Sequence, residues 1–322
     1  MTIVRQPTRA GVRDAAAKIA QILPPTPLLV AEIRGHPIAF KAESLQPVGA
    51  FKIRGAWHRL TALDEAARAR GVVAFSSGNH AQGVAWAARR LRIPATIVMP
   101  ADAPAVKREA TLALGAEIVS YDRRTESRER IAAELAAARG ATLVPSFDDP
   151  WVIEGQGSAG IEAATQMLAQ GLGPVGHVVS PCGGGGLAAG LTLALPDAEV
   201  TVVEPEGWDD MRASLEAGWI QPVADDAPET ACDALQTQRV SPLTFEVIAR
   251  RGATGVAVSE AEVRDAQRWA ARQLRLVVEP GGAVALAALL AGKVAATDGM
   301  LVLLSGGNAD PRAYAAVLAG EG

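Results

Sequence analysis

The chain has 322 residues, 49% of them hydrophobic, which suits two domains with buried cores. A net charge of -4 with acids and bases interspersed argues against nucleic-acid or polyanion partners. Two cysteines, Cys182 and Cys232, cannot build a disulfide framework and fit a reducing compartment. The N-terminal MTIVRQPTRAGVRDAAAKIAQ breaks its apolar residues with charge and proline, and no apolar run approaches the roughly 20 residues needed to span a bilayer. A cytoplasmic protein with neither signal peptide nor membrane segment is the expectation.

Taken in chain order, proline-rich QILPPTPLLV reads as an extended connection. GAFKIRGA, residues 49 to 56, then sets Lys52 between an aromatic residue and an arginine. Only five lysines occur, and arginine supplies most other cations. A desolvated lysine can lose its proton and form an imine, which arginine cannot. The competing reading is a surface cation at a helix start.

From Val72 to Val144 strands and helices alternate. VVAF is a strand, HAQGVAWAARRL a helix, ATIVMP a strand, AVKREATLALG a helix, AEIVSY a strand, RERIAAELAAARG a helix and ATLV a strand. Each segment carries its own start and stop signals, so parallel βαβ units and a sheet covered on both faces are predicted. A second series follows: helical SAGIEAATQMLAQG, strand HVVSP, a glycine loop opening the helix in GGGGLAAGLTLAL, and strand EVTVVEP. Residues 208 to 250 have weak periodicity and read as irregular. SEAEVRDAQRWAARQL opens with a Ser259 to Glu262 capping box, AVALAALLAG is a buried helix, and MLVLLSGGN is a strand ending in a glycine turn.

Three loops thus leave carboxyl ends of strands, where open α/β sheets bind ligands. In PCGGGGLAAG, Gly183, Gly184, Gly185 and Gly186 at a helix mouth suit a phosphate. A dinucleotide fingerprint through Gly184, Gly186 and Ala189, with Glu204 as the ribose acid, is the rival reading and implies an NAD-dependent oxidoreductase. In SSGNHAQG, Ser76, Ser77 and the following amides can receive a carboxylate, with Asn79 as a further donor; an N-cap with a solvated turn is the alternative. In LLSGGN, Ser305 either caps a turn or hydrogen-bonds a heteroaromatic nitrogen.

Together these segments resemble the fold-type II pyridoxal 5'-phosphate (PLP) enzymes, specifically the serine/threonine dehydratase and serine racemase family. ESLQPVGAFKIRGA resembles its lysine segment, SSGNHAQGVA its asparagine loop, PCGGGGLAAG its phosphate loop and LLSGGN its ring-nitrogen strand, in family order. The resemblance implies two open twisted α/β domains with the cofactor in the cleft between them. Residues 1–70 plus 149–322 would form the large PLP-binding domain, and 71–148 the small domain carrying the substrate-carboxylate loop.

It further implies that Lys52 forms the Schiff base beside Phe51. Asn79 and Glu279 would lie at the ring hydroxyl, Gly183 to Gly186 at the phosphate and Ser305 at the pyridine nitrogen. Ser76, Ser77 and His80 match the carboxylate loop, Ser77 also matches a proton donor or acceptor opposite the lysine in racemases, and Arg128 matches a ligand-contacting arginine. VEPEGWDD resembles a divalent-cation site, with Glu204 and Asp210 giving carboxylate oxygens and Trp208 a backbone carbonyl to Mg²⁺ or Ca²⁺. The implied activity is β-elimination of water from L-serine- or L-threonine-type β-hydroxy amino acids to 2-oxo acids and ammonia, in a homodimer without isoleucine feedback. Racemisation and dehydration of 3-hydroxyaspartate, with Arg128 facing the second carboxylate, are the alternatives. Ala50 and Gly281-Gly282 depart from the family pattern.

Overall fold

The computed structural model describes residues 5–103 and 105–321. Its strands are β1 (Leu28–Ile33), β2 (His36–Ala42), β3 (Val72–Phe75), β4 (Ala95–Pro100), β5 (Glu117–Tyr121), β6 (Thr142–Leu143), β7 (His177–Pro181), β8 (Glu199–Pro205), β9 (Thr254–Val258) and β10 (Met300–Leu304). They form a six-stranded sheet ordered β1-β2-β10-β7-β8-β9 and a four-stranded sheet ordered β5-β4-β3-β6. Every pairing is parallel except the β1–β2 hairpin. The alternation expected between Val72 and Val144 therefore holds, and all four strands of the smaller sheet come from it.

The helices up to the glycine loop are α1 (Arg9–Ile19), α2 (Lys52–Thr61), α3 (Glu65–Arg70), α4 (Asn79–Leu91), α5 (Ala105–Ala113), α6 (Arg128–Arg139) and α7 (Pro150–Ala169). Beyond it come α8 (Gly186–Ala194), α9 (Asp210–Ala217), α10 (Pro242–Ala249), α11 (Glu260–Trp269), α12 (Pro280–Leu290) and α13 (Pro311–Ala319). Both faces of the larger sheet are covered. Val284 and Leu286 of α12 join Val302 and Leu304 in one buried cluster, and Leu187 and Leu191 of α8 join Leu301 and Leu303 in another. All five residues of β10 are buried, as a central parallel strand requires. The Ser259–Glu262 capping box is present at the start of α11.

Three expectations need correction. The helix expected from Ser158 begins eight residues earlier, at Pro150 after the Asp149 N-cap. Its interior glycines argue against helix by propensity, but a methyl at Gly155 would stand 2.5 Å from the Gly55 Cα of α2, and one at Gly157 would stand 2.4 Å from the Gly190 carbonyl of α8. Close helix contact, and not turn formation, accounts for them. The extended QILPPTPLLV segment runs into β1, whose hairpin turns at Arg34 (φ 53°) and Gly35 (φ 84°). The stretch from Trp208 to Arg250 contains α9 and α10, each of only two turns, around an irregular middle with a 3-10 turn at Asp233–Leu235.

Candidate active site

Carboxyl ends of β3, β7 and β10 meet at the first turn of α2. The chain entering α2 is laced to the turn after β10. Ala50 bridges Gly306, the Phe51 amide donates to the Ser305 carbonyl at 3.1 Å, and the Gly307 amide donates to the Gly49 carbonyl at 2.8 Å. Asn308 Nδ2 donates to the Val48 carbonyl and to Asn79 Oδ1, each at 2.8 Å. Asn79 Nδ2 donates in turn to Glu279 Oε1 at 2.6 Å. These bonds tie the smaller sheet's α4 to both sides of the cleft.

Lys52 is the first residue of α2 and is half-buried. Its Nζ donates to the Ser146 carbonyl at 3.0 Å and has no carboxylate partner among the described residues. Removal from water without a counter-charge pushes its pKa down to about 8. A useful fraction of the amine is therefore neutral near neutral pH. The Phe51 ring lies 5.1 Å from the ammonium.

Gly183, Gly184, Gly185 and Gly186 are buried between β7 and α8. Gly185, the N-cap, has φ 83°, a conformation that favours glycine. A methyl at Gly184 would lie 2.2 Å from the Phe147 ring, and Thr244 Oγ1 donates to the Gly184 carbonyl at 2.9 Å. The first amides of α8 lack intrahelical acceptors, so the loop presents donors to an anion.

At the start of α4, Ser76 Oγ accepts from the Gly78 amide at 3.1 Å, and no side chain caps the helix. The first turn is thus left for an external carboxylate. Ser77 stands beside it, half-buried. His80 Nε2 lies 2.8 Å from the Val144 carbonyl, which can only accept, so Nε2 carries the proton. Burial, with the Lys52 charge, pushes the imidazole pKa down to about 3. His80 Nδ1 is buried without a partner. Glu279, at the N-cap of α12, is pushed up to about 7 by burial. Ser305 is buried at the end of β10.

Arg128 opens α6. Its Nε donates to Glu129 at 2.7 Å, and its guanidinium lies 5.7 Å from the ring of Phe75, the residue before Ser76. The acidic loop is separate. Glu204 is fully buried and its oxygens accept from the Met211 and Arg212 amides at 3.1 and 2.8 Å. Burial and the neighbouring Asp210 push its pKa well above the usual carboxylate range. Asp210 Oδ2 accepts from the Val240 amide at 2.7 Å, Oδ1 has no partner, and burial pushes the group to about 7. The Trp208 indole is held by the Pro228 carbonyl at 2.7 Å. No group of three or more His, Cys, Asp or Glu placed to hold a metal occurs among the described residues.

Sequence reading assigned no role to Ser146, Phe147, Thr244 or Asn308. Asn308 sits inside the quoted LLSGGN, two residues past the strand-end turn. The others act through contacts with distant segments that carry no local pattern.

Residues 19–306 match the family described as pyridoxal-phosphate dependent enzymes, and the chain belongs to that family. The rival dinucleotide reading is thereby set aside; the buried Glu204 receives the amides of α9. Among curated relatives, an L-threo-3-hydroxyaspartate ammonia-lyase of Pseudomonas sp is 44% identical over 89% of each chain. One of Saccharomyces cerevisiae is 40% identical over 98% of this chain and 97% of its own. The solved threonine deaminase of T.th. superposes with a TM-score of 0.87 at 40% identity, covering 94% of this chain and 99% of its own. Maize serine racemase gives 0.88 at 32%, covering 98% of both. The residues present fit the cofactor: a half-buried amine, a glycine loop that side chains would fill, and an uncapped helix start all border the segment 144–147.

Proposed function

We propose that this protein is a PLP-dependent ammonia-lyase that eliminates water from β-hydroxy amino acids, with 3-hydroxyaspartate its preferred substrate and serine and threonine accepted less well. The single observation that carries the reading is the half-buried Lys52 amine at the head of α2, bonded to the Ser146 carbonyl with no carboxylate among the described residues to hold it as an ammonium ion. The names of relatives support a lyase, and Arg128 beside Phe75 supports a dicarboxylic substrate.

Bound PLP supplies an aldehyde that captures the substrate amine and a conjugated ring that stabilises negative charge at the α-carbon. Gly183 to Gly186 would hold its phosphate, Asn79 with Glu279 its ring hydroxyl, and Ser305 its pyridine nitrogen. Because Ser305 is a neutral hydroxyl, it does not enforce a protonated ring as a carboxylate would, which favours loss of the β-hydroxyl over transamination. The first turn of α4, with Ser76, Ser77 and the backbone amide of His80, binds the α-carboxylate. Arg128 exchanges Glu129 for the distal carboxylate. Lys52 Nζ takes the α-proton as general base. Glu204 and Asp210, with the Trp208 carbonyl, would hold a divalent cation, and residues 71–148 act as a small domain presenting the carboxylate loop. We assign a homodimer on the family resemblance, and the cytoplasm on a cysteine content that fits a reducing compartment.

Purified protein is expected to carry a visible cofactor band and to release ammonia fastest from threo-3-hydroxyaspartate in a panel with serine and threonine. Retained turnover in Lys52→Ala overturns the mechanism. Chiral analysis of serine after incubation tests the racemase alternative, for which Ser77 is the second proton carrier.

A further inference from the structure

The segment joining β6 to α7, residues 144 to 149, touches α2, α4 and the glycine loop. Its Val144 carbonyl receives His80 of α4, and its Ser146 carbonyl receives the Lys52 amine at 3.0 Å. Its Asp149 accepts from Arg59 of α2 at 2.8 Å while capping α7. Between these polar contacts stands Phe147, half-buried against the phosphate loop. A methyl at Gly184 would come within 2.2 Å of its ring, and one at Gly186 within 2.9 Å of its Cβ. Gly184 therefore answers to this ring, and Gly186 to the Cβ of the same residue, as well as to an anion. The connector is also where the chain passes from the four-stranded sheet to the six-stranded one.

We propose that Phe147 is a positioning residue for proton transfer: its ring, seated on Gly184, sets the Ser146 carbonyl and so the place where the free Lys52 amine waits. A neutral amine that gives one N-H to a fixed carbonyl has its lone pair aimed by that bond. If the ring is lost, the peptide beside it gains freedom, and the amine loses its fixed rotamer. Misplacement on the scale of about 1 Å is enough to slow a proton transfer about 100-fold. The inference rests on the assignment of Lys52 as base in the proposed lyase, and it does not depend on which step follows proton removal.

The test uses holoenzyme with Phe147→Ala, Phe147→Leu and Phe147→Tyr, each rate normalised to bound cofactor from the visible band. Loss of the substrate α-proton, counted as exchange whether it returns as solvent deuterium or is lost in elimination, is followed by NMR, alongside KM and thermal unfolding. Exchange per bound cofactor is expected to fall about tenfold or more in Phe147→Ala, less in Phe147→Leu, and to recover in Phe147→Tyr, with KM changed less than about threefold. Unchanged exchange per cofactor in both the alanine and leucine variants, whatever their stability, overturns the proposal. Wild-type protein that exchanges the proton without releasing ammonia overturns the lyase reading alone, and wild-type protein that does neither overturns both.

Discussion

Replacing Lys52 by methionine should stabilise the cofactor-free protein while destroying its chemistry. Burial lowers the lysine pKa from 10.5 to about 8. The folded state therefore disfavours the ammonium form by about 3 kcal/mol relative to the unfolded chain. Methionine removes that penalty but also the bond to the Ser146 carbonyl, worth about 1 kcal/mol net. The variant should gain about 2 kcal/mol at pH 7. Between pH 8 and 10.5 the unfolded lysine is still protonated while the folded one is not, so wild-type stability rises with pH across that window and the gap closes. Urea unfolding of both cofactor-free proteins at pH 7 and pH 10.5 measures this directly. Equal stability at pH 7, or a gap that stays constant between the two pH values, would refute a desolvated amine at this position.

Other consequences follow from the same geometry. Gly184→Ala pushes a methyl into the Phe147 ring and should weaken cofactor retention about tenfold or more, measured by loss of the visible band on dialysis. Arg128→Gln should raise KM for 3-hydroxyaspartate about tenfold while changing KM for serine less than about threefold; equal effects on both substrates would dissociate Arg128 from the distal carboxylate. EDTA should lower the melting temperature of the wild type and leave Glu204→Gln unaffected, a pairing that unresponsive wild-type protein would contradict.

The smaller sheet and the three loops were legible because strand and helix periods alternate from Val72 to Val144 and because β3, β7 and β10 each run into a loop rich in glycine or hydroxyl residues. Gly140 takes a left-handed conformation at the end of α6, and Ser259 pairs with Glu262 at the start of α11. Where long-range packing overrides local preference, the pattern misled. Gly155 and Gly157 look like helix breakers until α2 and α8 are laid against them. Arg34 hides a hairpin turn because a non-glycine residue with positive φ leaves no local signature. In the site, Lys52 was conspicuous by residue type, but the Ser146 carbonyl that receives it lies 94 residues away, and a backbone acceptor has no sequence signal. The Phe147 contact with the glycine loop was equally invisible.

Borohydride reduction of the PLP-loaded protein, followed by peptide mass spectrometry, tests the central assignment most directly. A phosphopyridoxyl group confined to the peptide carrying Lys52 is the predicted result. Label on Lys18, Lys41, Lys107 or Lys293 with Lys52 unmodified would contradict it.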